Sequence, residues 1–164
     1  MLDLPATPET VLSAVVMPAL RLLPRPLSTG EAAVMMLAIG GQESGFRTRE
    51  QVGGPAHGLW QFEKGGGVRG VLKHRSSAGY ARTLCEQFDV PATEAAVYWT
   101  LTERDELAAG FARLLLWTDP MRLPVIGDEQ GAWDYYVRNW RPGKPHRDHW
   151  GKHYAAAVQA VQHA

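Results

Sequence analysis

Glu43 stands where chemistry is easiest to place in this sequence. It follows Ala32-Ala33-Val34-Met35-Met36-Leu37-Ala38-Ile39, a run that is apolar on every side. A helix apolar all round belongs in the middle of a domain. Gly40-Gly41 reads as the stop of that helix, so a carboxyl group is delivered to the end of the most buried helix on offer. Burial disfavours the charged form of a carboxyl and raises its pKa. A carboxylic acid still protonated near neutral pH can act as a general acid. Gln42 and Ser44 flank it, either orienting the carboxyl or simply capping the helix end.

The next segment sharpens the picture. Gly53-Gly54-Pro55-Ala56-His57-Gly58 cannot be a regular element, and it leads into Leu59-Trp60-Gln61-Phe62-Glu63. Glu43-Ser44-Gly45-Phe46, followed by Gly58-Leu59-Trp60-Gln61, resembles the signature of the lysozyme-like superfamily, in particular lytic transglycosylases and goose-type lysozymes. In those proteins a Glu-Ser pair ends the central helix, a Gly-Leu-(Met or Trp)-Gln segment lines a sugar groove, and a Tyr-Asn pair lies near the glutamate. Tyr135-Tyr136-Val137-Arg138-Asn139 answers to the third element, with a spacing that departs from an adjacent Tyr-Asn. The resemblance spans roughly residues 28–140.

The resemblance implies a mainly α, lysozyme-like fold whose buried central helix ends at a catalytic Glu43, with a small hairpin within residues 46–62. It implies cleavage of the β-1,4 bond between N-acetylmuramic acid and N-acetylglucosamine in peptidoglycan. Ser44, Trp60, Gln61, Tyr135, Tyr136 and Asn139 then fall to substrate binding. Trp60 is open to two readings, a platform for a sugar ring or a core residue. Tyr135 and Tyr136 point about 100° apart on a helix, so one faces the core and one the groove; Tyr136, with Asn139 three residues on, is favoured to hold Glu43. A transglycosylase needs one acid, which protonates the glycosidic oxygen and then takes a proton from the sugar's own hydroxyl. A hydrolytic muramidase uses water, commonly with a second carboxylate; Glu63 is the nearest candidate, with Glu50 and Asp134 behind it. The whole chain also resembles small phage-encoded wall-degrading proteins, endolysins among them. A non-catalytic phage structural or wall-binding module is the alternative from a different class.

Other chemistries find less to work with. His149 and His153 stand at i, i+4, a spacing that can share a metal, with His146 and Asp148 nearby. No Glu follows the first His as the metalloprotease helix requires, so neither metal nor cofactor is assigned. Cys85 is the single cysteine, which excludes an intrachain disulfide, and its apolar helical setting reads as packing. Lysine plus arginine equals aspartate plus glutamate at 17 each, so no overall field argues for nucleic acid or membrane. Between Trp133 and His153, however, five cationic residues (Arg138, Arg141, Lys144, Arg147, Lys152) face two acids (Asp134, Asp148), a local excess of three. That excess suits an anionic polymer or a plain solvated face. The N-terminus carries Asp3 and no Lys or Arg before Arg21, the wrong charge for a signal peptide. The expectation is synthesis in the cytoplasm, no membrane insertion, and delivery to the wall by a phage particle or a holin.

The elements that must position these residues read as helices. With 164 residues, one domain with a real core is expected over 1–164. Thr7-Pro8-Glu9 opens a helix kinked at Pro18 and ended at Pro24. Ser28 with Glu31 reads as a capping box for the central helix. Gly65-Gly66-Gly67 reads as a flexible break, not a phosphate loop. Helices follow at 68–74, from Ser76 through Phe88, from Pro91 to Trp99, and from Thr102 to a stop at Asp119-Pro120. The last two are expected at 129–140 and 146–162. Period-two alternation is scarce, so strands are not expected to build the fold.

Overall fold

A computed structural model describes residues 1–164. The chain is mainly helical and has no sheet. The helices are α1 (Pro8–Val11), α2 (Met17–Arg21), α3 (Gly30–Ser44), α4 (Arg69–Lys73), α5 (Ala78–Gln87), α6 (Glu94–Thr100), α7 (Asp105–Trp117), α8 (Glu129–Trp140) and α9 (Arg147–Gln162). A π-helical turn, Leu12–Val16, joins α1 to α2, whose second residue is Pro18. Proline has no N–H to continue the α-ladder, and the widened turn takes up that defect. A 3-10 turn, Arg25–Leu27, precedes α3, and a second π turn, Lys64–Val68, precedes α4.

α3 is the axis of the molecule. Its residues from Ala32 to Gly41 are all buried, as its all-round apolarity requires. Its N-cap is Thr29, whose hydroxyl accepts from the Ala32 N–H at 3.1 Å, one residue beyond the expected Ser28. Its C-terminus differs more. The helix does not stop at Gly40-Gly41; it continues to Ser44 and is closed by Gly45 in the left-handed conformation (φ 60°). The two glycines are there for contact. A Cβ on Gly40 would come within 2.5 Å of the Phe46 ring, and one on Gly41 within 2.8 Å of His153 Nδ1. The second approach comes from α9, which packs along α3 more extensively than any other helix.

The segment from Glu50 to Phe62 forms two isolated antiparallel bridges, Glu50 with His57 and His57 with Phe62, instead of the expected hairpin. Regular pairing fails because Gly53, Gly58 and Gln61 all take positive φ, breaking the strand twist on both sides of His57. The loop is nonetheless tied down. The His57 ring stacks on Tyr98 of α6 at 3.8 Å, and the Tyr98 hydroxyl donates to Pro55 O at 2.6 Å. Gly65-Gly66-Gly67 is not a flexible break but the π turn, in which a Cβ on Gly67 would lie 2.5 Å from Phe62. Cys85 is buried in the apolar core. No helix is long and apolar enough to cross a membrane.

Other boundaries moved by a few residues, each for a local reason. α5 begins after Ser77, whose hydroxyl is turned inward onto Val71 O at 2.7 Å. Thr93, not Pro91, caps α6 through the Ala96 N–H. α7 begins at Asp105 rather than Thr102, and the Asp105 carboxylate serves tertiary partners: both its oxygens accept from Arg49, and one also accepts from the Leu2 N–H.

Candidate active site

Glu43 projects from the last turn of α3 into a cleft of about 1050 Å³. Burial pushes its carboxyl up to about 7, against the opposing effect of a hydrogen bond from Tyr136. The unpaired carbonyls at a helix C-terminus likewise disfavour a carboxylate. The Tyr136 hydroxyl donates to Glu43 Oε1 at 2.6 Å, and its own pKa is raised by burial and by the neighbouring carboxyl. With Oε1 accepting from Tyr136, the oxygen left to carry the acid proton is Oε2, which makes no hydrogen bond within the protein. A protonated oxygen free at a cleft wall is what proton donation needs.

Tyr136 is held by an aromatic cage. Its ring stacks on Trp150 of α9 at 5.1 Å and lies against Trp133 at 5.5 Å and Trp140 at 6.4 Å. The Trp140 indole N–H donates to Trp60 O at 3.0 Å, and that of Trp150 donates to Glu129 O at 3.2 Å. Trp140 and Trp150 therefore each have one edge fixed to backbone, and the tyrosine cannot swing away from Glu43 without unpacking α8 from α9. Trp133, Tyr136 and Trp140 follow at i, i+3 and i+7, one face of a helix. That spacing was visible in the sequence; the contribution of Trp150 from another helix was not.

The other anticipated site residues divide. Gln61 lines the cleft. It sits in the left-handed region (φ 52°), and its side-chain N–H donates to Gly58 O at 2.9 Å, which leaves the amide oxygen for a ligand. Asn139 also lines the cleft, but it donates to Asp119 Oδ2 (2.8 Å) and Tyr135 O (2.9 Å), not to Glu43. Asp119 is pushed up by burial yet ends below the usual carboxylate range, because Arg138, Asn139 and the Met121 N–H all hydrogen-bond to it. Three assignments to sugar contact fail. Trp60 is fully buried, its indole N–H donating to Met36 O at 2.7 Å, so its faces pack in the core. Tyr135 turns inward and donates to Leu116 O and Met121 O. Ser44 donates to Gly40 O and accepts from the Phe46 N–H, which makes it a cap of the turn after α3.

Of the carboxylates considered beside Glu43, Glu63 lines the cleft and is exposed. Glu50 and Asp134 are exposed and lie outside the cleft lining. Gln42, expected to orient the Glu43 carboxyl or cap the helix, has a different partner. It in fact donates to His146 O at 2.9 Å, tying the loop after α8 to the helix that carries Glu43. His149 and His153 do not converge as a pair: the donors that come together are His146, Asp148 and His149, all exposed, while His153 lies against Gly41. A second cavity of about 500 Å³ lies between the α1–α2 region and the end of α9. Compared with protein-family models, with curated proteins and with solved structures, the chain matches none.

Proposed function

We propose that this protein is a glycan-strand-cleaving enzyme of lysozyme-like type, a lytic transglycosylase acting on the β-1,4 bond between N-acetylmuramic acid and N-acetylglucosamine of peptidoglycan. The observation that carries the reading is Glu43: a carboxyl raised to about 7 by burial, hydrogen-bonded on one oxygen by Tyr136, at the wall of a cleft of about 1050 Å³. The Glu-Ser-Gly-Phe and Gly-Leu-Trp-Gln motifs support it independently.

In this mechanism Glu43 gives its Oε2 proton to the glycosidic oxygen as the bond to the anomeric carbon breaks. The leaving chain departs as an alcohol. The carboxylate, steadied by Tyr136, then accepts the proton of the sugar's own hydroxyl as that oxygen bonds to the anomeric carbon. An anhydro ring closes, Glu43 is protonated again, and no water is consumed. Burial serves the first half and the Tyr136 hydrogen bond the second, since it stabilises the charged form that must exist in between. The hydrolytic alternative keeps the first step and adds a water, for which Glu63 is the carboxylate at hand. Delivery by a phage particle or holin belongs to the same proposal.

Mass spectrometry of soluble products from purified peptidoglycan tests the reading. Wild type is expected to release ends lighter by one water than reducing ends, and Glu43→Gln to release none. Reducing ends would shift the assignment to a muramidase. Identical products from both proteins would remove Glu43 from the chemistry. No cleavage on several wall types would favour a binding module.

A further inference from the structure

Four cationic side chains line the cleft, and two are already paired. Arg69 grips Glu94 with both ends of its fork, at 2.9 and 3.1 Å, and Arg138 holds Asp119 at 2.7 Å. Arg141 and Lys144 are exposed and make no ion pair with any carboxylate. Both stand on the loop between α8 and α9, which Gln42 fastens to α3 beside Glu43. Arg141 occupies the left-handed position that ends α8 (φ 49°, ψ 53°). Glycine or asparagine is usual there, because a Cβ is strained in that region. Strained residues cluster at functional sites, and this one carries a charged side chain at the cleft wall.

We propose that Arg141 and Lys144 are specificity determinants that bind carboxylate groups carried by the glycan, so that the cleft selects an acidic strand over a neutral polymer of N-acetylglucosamine. This rests on the glycan-cleaving reading of the cleft and narrows its substrate class. Arginine forks onto a carboxylate through two parallel N–H groups, while lysine adds a mobile point charge. Two carboxylate sources fit: the free ends of stem peptides, and the lactyl group of muramic acid where the peptide has been removed.

The test is calorimetric binding to the full-length Glu43→Gln protein, which keeps the cleft and cannot turn over. The ligands are soluble peptide-bearing glycan fragments, the same fragments with their carboxyls amidated, peptide-stripped fragments, and a neutral N-acetylglucosamine oligomer of equal length. Acidic fragments are expected to bind about tenfold more tightly than the neutral oligomer at low salt. Adding Arg141→Gly and Lys144→Gln is expected to abolish that advantage and flatten its salt dependence. Arg141→Gly also relieves the backbone strain, so its melting temperature should not fall, which separates lost recognition from lost folding. Whether the peptide-bearing or the stripped fragment carries the advantage identifies the carboxylate. Equal affinity for acidic and neutral strands, or an advantage that survives both substitutions, overturns the proposal and leaves the glycan reading intact. Failure to bind any glycan overturns both.

Discussion

At Glu43 two opposed effects meet: removal from water raises the carboxyl pKa, and the Tyr136 hydroxyl lowers it. Burial wins, and this has a consequence for stability. In the unfolded chain the carboxyl has its ordinary value of 4.5, and in the fold it has about 7. Between those values the native state holds a proton that the unfolded state has lost, so stability falls as pH rises through this window and levels off above it. The shift corresponds to roughly 3 kcal/mol. Urea unfolding of Glu43→Gln is therefore expected to match wild type near pH 4 and to exceed it by about that amount at pH 8; equal curves at pH 8 would mean the carboxyl is not perturbed. Under the proposed mechanism, activity should fall as Glu43 loses its proton, giving an alkaline limb near pH 7. Tyr136→Phe removes the lowering influence, so the limb should move to higher pH while the rate drops roughly tenfold through loss of orientation; a pH–rate profile of wall lysis measures both.

Among the elements, α3 shows how a local signal misleads. Gly40-Gly41 in a helical run reads as a stop, because glycine is a poor helix former and a common helix end. Here the same lack of side chain admits Phe46 and His153 to the helix surface. The two uses predict opposite signs. In an open helix Gly→Ala stabilises by about 1 kcal/mol. In this contact Gly41→Ala should destabilise by about 1–3 kcal/mol, through overpacking against α9, and chemical denaturation distinguishes the outcomes. The existence of most helices was legible from apolar spacing, and α8 lies at its expected limits. The caps shifted because several polar residues could serve each one locally, and the choice fell to tertiary needs. Ser77 turns into the core, and Asp105 turns to Arg49.

For the molecule as a whole, the buried pair of Asp105 and Arg49 is the long-range fastening. Arg49 lies just beyond the turn that follows α3, Asp105 opens α7, and the two meet at 2.7 Å, with Asp105 also accepting from the Leu2 N–H. The N-terminus, the loop that forms the cleft wall and α7 are thereby joined. Asp105→Asn leaves the Arg49 charge largely buried without its partner, for a cost of about 3 kcal/mol. Its melting temperature should fall markedly, and the pH limb of Glu43 should stay in place if the pair serves the fold rather than the chemistry. α9, packed along α3, sets the position of Trp150 and hence of Tyr136.

Apolar spacing along the chain already specifies a mainly helical protein, a central helix that is its most apolar, and a carboxyl at that helix's end. These follow from composition and period, which are properties of neighbours along the chain. The motif resemblance narrowed the partner of Glu43 to two adjacent tyrosines and favoured Tyr136. Packing between distant segments settles the rest: that Tyr136 meets Glu43 while Tyr135 and Trp60 are core, that Gly40 and Gly41 are contact surfaces, and that Arg141 and Lys144 make no ion pair at the cleft. The reason is common to all of them. Burial, pairing and desolvation depend on groups brought together from distant parts of the chain, here α3, α8 and α9, and sequence spacing carries no information on which of those groups meet.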